Sequence, residues 1–235
     1  MREFRDGLRD GVPIGLGYFA VSFSLGIAAR NVGLDWIQGF VASLTNIASA
    51  GEYALFSLIG ESAAFIELAI MIFVVNARYI LMSCALSQRF DPKTSMGHRI
   101  GVGAFITDEI FGIEIARPGY IKPAYTYGAA VTSVLPWAVG TSIGIIAGNI
   151  LPPIIVSALS VAIFGMFLAI IIPPARKNRV IAVFVLLSFV SSWLCGIVPG
   201  INTLSGGTRT IILTVVLSAA AAFFFPVEEE EAAHE

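Results

Sequence analysis

Charge is what this sequence has least of. Asp, Glu, Lys and Arg make up 13% of 235 residues, and hydrophobic side chains make up 57%. A water-soluble domain carries roughly 25% charged and roughly 45–50% apolar residues. So little polar surface cannot cover a globule in water, and the mean hydropathy of +0.85 agrees. The composition places the chain in a lipid bilayer. Two cysteines, Cys84 and Cys195, exclude a disulfide framework and read as small apolar fillers in apolar segments. Two histidines, His98 and His234, have no metal-ligand spacing to anything, so no metal site is expected. No Gly-rich phosphate loop, His–Glu metal motif or Ser nucleophile elbow occurs, so neither an enzyme nor a cofactor is expected. The basic residues do not gather into one patch, so no nucleic-acid partner is expected; the net charge of -2 does not bear on this.

What is present is a series of apolar segments. A spanning helix needs roughly 20 apolar residues. Eight segments qualify or nearly so: 12–29, 37–59, 63–87, 100–115, 125–147, 153–172, 180–198 and 210–225. The second is interrupted by Thr45, Asn46, Ser49, Gly51 and Glu52. The fourth is short and carries Asp108, Glu109 and Glu114. Both are expected to be broken or re-entrant, which membranes tolerate where protein or a water-filled cavity covers the backbone. The expected fold is all-α: a polytopic helical membrane protein of 7–8 embedded segments. It forms one transmembrane domain, 1–227, followed by an acidic disordered tail, 228–235.

The loop charges speak to topology. Lys and Arg favour the cytoplasmic side. Arg2, Arg5 and Arg9 place the N-terminus inside, and the charged lead-in "MREFRDGLRD" reads as cytoplasmic rather than as a removable signal. Arg176, Lys177 and Arg179 mark another inside loop. The loop 88–99, with Arg89, Lys93 and Arg99, should also be inside, yet a simple up-and-down count puts it outside. The conflict vanishes if the second segment enters and returns without crossing. A fourth segment that also fails to cross keeps Arg117 and Lys122 inside, and the C-terminus comes out cytoplasmic.

An internal echo suggests two repeats, 11–115 and 125–225. "VSFSLGIAARNV" (21–32) lines up with "VGTSIGIIAGNI" (139–150), and further on Gly51 falls opposite Gly165. In duplicated transporters the substrate lies at mid-membrane, where interrupted helices meet. An odd number of crossings in the first half would make the repeats inverted.

Ionisable groups inside the membrane cost roughly 2.5–3.5 kcal/mol each on insertion scales, so they mark function by default. Glu52 is the first. Helical spacing puts it on one face with Thr45 and Ser49, and a break at "SAG" would be supplied by Gly51. It binds a substrate ammonium, carries a proton, or pairs with a base to hold helices together. Arg78 stays charged and needs a partner, Glu52 or Asp108; it could also hold a substrate carboxylate or snorkel. Asn76, Tyr79 and Ser83 share a helical face from which Arg78 points away. Thr107 or Asp108 can cap a half-helix. Asp108 and Glu109 together exceed what capping needs and suggest pairing or coupling. Gly140, Gly144 and Gly148 recur every four residues, a spacing that lets helices approach closely, with Pro136 and Trp137 just ahead. Trp137 could line the cavity. The candidate substrate or coupling set is Asn46, Ser49, Glu52, Asn76, Arg78, Asp108, Glu109 and Trp137.

With these residues in view, the chain resembles the AzlC family, also called the BrnF or YgaZ type. The resemblance is carried by "GVPIGLGYFAVSFSLGIAARNVGL", "TNIASAGEYALF", "NARYILMSCALSQ", "TDEIF" and "PWAVGTSIGIIAGN". It implies an exporter of branched-chain amino acids, and of other hydrophobic ones, in a prokaryotic cytoplasmic membrane. It further implies a secondary transporter coupled to the proton gradient that works with a small AzlD-type membrane subunit. One departure stands out: the family pattern implies a neutral residue where this chain has Glu52. Two other readings remain open on the residues alone, a passive channel subunit and a non-transporting assembly subunit.

Overall fold

The structure is a computed structural model that describes residues 2–201 and 203–226. The expected acidic tail, 228–235, lies outside the described residues. Eleven α-helices and no strand occur among the described residues: α1 (Arg2–Asn31), α2 (Trp36–Thr45), α3 (Ser49–Gly60), α4 (Phe65–Val75), α5 (Arg78–Gln88), α6 (Met96–Gly103), α7 (Asp108–Ile115), α8 (Pro123–Ile150), α9 (Pro153–Lys177), α10 (Arg179–Ile197) and α11 (Gly206–Phe224). Among the described residues α1, α8, α10 and α11 are each long and apolar enough to span a bilayer, and α4 with α5 qualifies as a pair. Helices α2, α3, α6 and α7 have 10, 12, 8 and 8 residues. At about 1.5 Å per residue, none of these covers the roughly 30 Å of hydrocarbon.

The chain forms two compact units. One comprises everything up to Glu61 together with Val75–Phe164; the other comprises Ser62–Val74 and the chain from Gly165 onward. The first unit is built on α1 and α8. Glycine makes their approach possible. A Cβ on Gly26 would run into the Thr141 carbonyl, and one on Gly144 into the Phe23 carbonyl. Gly7, Gly11 and Gly15 meet the backbone of Tyr125, Ala129 and Thr132 in the same way. Close backbone approach of this kind replaces the missing hydrophobic drive between helices in lipid. Partner numbers rise together, from Gly7 with Tyr125 to Arg30 with Gly148, so the two helices run parallel. The stretches 21–32 and 139–150, matched by sequence, lie against each other here, with Gly26 on Gly144.

Two hairpins of short helices enter this pair from opposite ends. Asp35 caps α2 in a capping box with Gln38 at the C-terminal end of the pair. From there α2 runs back along α8, with Gly39 under Ile145 and the Ser43 hydroxyl 2.7 Å from that of Thr141. The chain breaks at Asn46–Ala48, and α3 returns: a Cβ on Gly60 would stand 2.7 Å from Val32, just past the end of α1. The second segment therefore enters and leaves by the same end, as the loop charges required. At the other end, Ser95 caps α6, and His98 Nδ1 lies 3.1 Å from the Tyr127 hydroxyl near the start of α8. Thr107 caps α7, which comes back so that Arg117 reaches Glu3 at 3.0 Å. Arg89 donates to the carbonyls of Ile115, Arg117 and Gly119 at the same end. A core of Leu86, Phe90, Val102, Ile106 and Ile121 seals this hairpin to α5.

Three local expectations are corrected. The second break falls at Asn46–Ala48, ahead of "SAG", and Gly51 lies inside α3; Thr45 therefore does not share a face with Ser49 and Glu52. Thr45 ends α2 instead, its hydroxyl turned back to the Val41 carbonyl at 2.8 Å. The third segment, 63–87, is not continuous but breaks at Asn76–Ala77 between α4 and α5. Asn76 thus precedes α5 and does not ride on a face with Tyr79 and Ser83.

In the second unit α10 and α11 are antiparallel, with Phe184 against Phe225 and Arg209 donating to the Cys195 carbonyl. Glu67 of α4 supplements the Ser205 cap of α11, accepting from Ser205 and from the Thr208 backbone N–H at 2.8 Å.

Candidate functional site

The breaks at Asn46–Ala48, Asn76–Ala77 and Ala104–Thr107 come together in the first unit, beside the middle of α1 and α8. The Asn76 side-chain amide donates to Asn46 Oδ1 at 3.5 Å. Arg78, the first residue of α5, pairs with Asp108, the first of α7, at 2.7 Å. Of the two partners the sequence offered Arg78, the structure selects Asp108. Both side chains are about half exposed, 47% and 46%. Arg78 also lies over the Tyr79 ring. Glu109 is exposed and accepts from the Tyr18 hydroxyl of α1 at 2.5 Å. Tyr18 also lies 2.6 Å from Thr107 Oγ1, the cap of α7, and packs edge-on against Trp137 at 5.3 Å. Tyr18 and Trp137 thus bridge the two hairpin tips.

Glu52 is fully buried, at 0% exposure, and has no cationic partner in contact among the described residues. Three donors hold it. The Trp137 indole donates to Oε2 at 2.7 Å, the Thr141 hydroxyl to Oε1 at 3.2 Å, and the Ser43 hydroxyl closes the ring. These bonds connect α3 to Ser43 of α2 and to Trp137 and Thr141 of α8. Ser49 opens α3 and is not one of the donors to Glu52.

Tyr18, Ser43, Thr107 and Thr141 belong to this constellation and were not among the candidate site residues. Thr141 carried a signal in hindsight, a hydroxyl inside the Gly140–Gly144 packing stripe. Tyr18 and Ser43 carried none, since one Tyr or Ser in an apolar run is ordinary. Glu114 is also fully buried, bonded by Thr126, and its Oε2 has no partner.

Comparison with known proteins places this architecture. The AzlC protein family matches residues 13–151, which include both hairpins, α8 and every candidate residue above. The chain belongs to the AzlC family. A membrane protein of Archaeoglobus fulgidus is 31% identical over 182 residues, covering 75% of this chain and 78% of that protein. The inner membrane protein YgaZ of Escherichia coli is 22% identical, covering 77% and 76%. A membrane protein of Helicobacter pylori strain J99 is 21% identical, covering 63% and 66%. No solved structure matches the chain. The AzlC family is a family of membrane transport proteins, and this chain is a helical membrane protein of that family.

Proposed function

We propose that this protein is a secondary transporter that exports branched-chain and related hydrophobic amino acids across the prokaryotic cytoplasmic membrane. It uses the proton gradient and works with a small AzlD-type membrane subunit. One observation carries the reading: two re-entrant hairpins enter from opposite ends and meet, tip to tip, around Asn46, Asn76, Arg78, Asp108, Glu109 and Tyr18. Interrupted helices meeting at mid-depth expose backbone dipoles to a small polar solute while the surrounding helices stay intact. The end that carries Arg2, Arg89, Arg117 and Lys122 is cytoplasmic by its positive charge.

Coupling falls to the carboxylates that are accessible at the tips. Protonation of Asp108 removes the charge that Arg78 pairs with, and so loosens α5 from α7. Protonation of Glu109 weakens its bond from Tyr18. Glu52 stands apart from these accessible groups, fully buried among its three donors.

The test is valine efflux from preloaded cells expressing the chain together with a small AzlD-type membrane subunit. Efflux should exceed that of cells without the chain, and an uncoupler should abolish the difference. Equal efflux with and without the chain would refute the proposal. Enhanced efflux that ignores the uncoupler would instead favour a passive channel.

A further inference from the structure

The break between α2 and α3 has features that neither hairpin packing nor the Arg78–Asp108 pair explains. Helix α3 begins at Ser49 after Ala48, which offers no side-chain cap. The first N–H groups of a helix have no intrahelical partner and form its positive end. Here they open beside two carboxamides. Asn46 Nδ2 and Asn76 Oδ1 are both buried and without a hydrogen-bond partner. A buried polar group left unpaired forfeits its hydrogen bonds to water without replacement. Exchanging O and N in both amides still leaves one free donor and one free acceptor, so the feature does not depend on their assignment.

Gly51 belongs to the same place. A Cβ there would stand 3.0 Å from both polar atoms of the Asn76 amide and 3.2 Å from Asn46 Oδ1. Its bare face makes room for the amides against the first turn of α3. On the other side of the break, α2 ends in carbonyls; that of Ala42 is taken by the Asn46 N–H at 2.9 Å, and those after it, at the end of the helix, have no intrahelical partner. One short gap therefore offers a positive helix end, a negative helix end, a spare donor and a spare acceptor.

We infer that the α2–α3 break binds the zwitterionic backbone of an α-amino acid. The N-terminus of α3 and Asn46 Nδ2 take the carboxylate; Asn76 Oδ1 and the last carbonyls of α2 take the ammonium. This deepens the transporter reading and rests on it. It removes two roles that the sequence left open: Arg78 does not hold the substrate carboxylate, being paired to Asp108, and Glu52 does not hold the ammonium, being enclosed by its donors. Recognition is of the amino-acid backbone, with both charges required.

The experiment is binding to the full chain in lipid nanodiscs. The probes are L-valine, L-valinamide (no carboxylate) and 3-methylbutanoate (no ammonium). Valine should bind about tenfold or more tightly than either analogue, the value of a hydrogen-bonded charge. This comparison uses the unaltered chain and does not depend on any variant folding. Asn46→Ala and Asn76→Ala should each weaken valine by about tenfold, and the preference for valine over valinamide should survive Arg78→Gln. Equal binding of all three probes, or a preference lost in Arg78→Gln and kept in Asn46→Ala, would overturn the inference and leave the transporter reading standing. No binding of any amino acid, together with no efflux above background, would sink both.

Discussion

The indole N–H of Trp137, midway along α8, donates to Glu52 Oε2 in the first turns of α3 at 2.7 Å. With Ser43 and Thr141 it makes the acid an internal fastener between a re-entrant hairpin and the long helix beside it. Replacing Glu52 by Leu leaves the buried Trp137 indole N–H without an acceptor, while Ser43 can still donate to Thr141 at 2.7 Å and Thr141 to the Trp137 carbonyl at 3.5 Å. Expected destabilisation is about 1–3 kcal/mol, the cost of one unsatisfied buried group. Glu52→Gln should cost far less, under about 1 kcal/mol. A Gln carbonyl can accept from Trp137, and the Ser43 and Thr141 hydroxyls can turn to accept from its amide. Thermal unfolding in detergent measures both. A Leu variant as stable as the parent would refute the fastener role.

Gly144→Ala should damage the α1–α8 pair, since its Cβ meets the Phe23 carbonyl, a backbone atom that cannot move aside. Overpacking of this kind costs about 1–3 kcal/mol. Gly17→Ala and Gly112→Ala meet nothing within 4 Å and should leave stability unchanged or slightly improved. Unfolding midpoints of the three variants make the comparison. Equal losses at all three positions would contradict the packing account.

Arg78 and Asp108 should behave as one unit in transport. Arg78→Gln and Asp108→Asn should each lower efflux. The double variant should be no slower than the worse single, because the second change removes a charge already stranded by the first. Efflux measured over this cycle decides it. Strictly multiplicative losses would show that the 2.7 Å pair does not act together.

Much of this architecture was legible in the residues, for identifiable reasons. The second and fourth segments were marked as broken because Asn46, Glu52, Asp108 and Glu109 are too costly in an uninterrupted span. The Arg and Lys of 88–99 supported a second segment that returns without crossing. The Gly140–Gly144–Gly148 stripe named the packing face of α8. The break at Asn76 was hidden, since one Asn in an apolar run looks like a tolerated polar residue of a spanning helix. The position of the second break was misjudged by a few residues, because glycine suggested an interruption that the asparagine before it makes. Tyr18 could not be found, for it matters only once α7 lies against α1. Partner choice for Arg78 was open for the same reason: sequence shows which charges need partners, and topology decides which partner is near.

The central claim is that two hairpins enter from opposite ends and do not cross. Cysteine accessibility tests it most directly, with Cys84 and Cys195 first replaced by Ser. Single cysteines at Asp35 and Glu61 flank the first hairpin; cysteines at Thr94 and Gly119 flank the second. A membrane-impermeant maleimide added to intact cells should label Asp35→Cys and Glu61→Cys and spare Thr94→Cys and Gly119→Cys. In inside-out vesicles the pattern should reverse. Opposite labelling of Asp35→Cys and Glu61→Cys would mean that the second segment crosses the membrane, and would contradict the account.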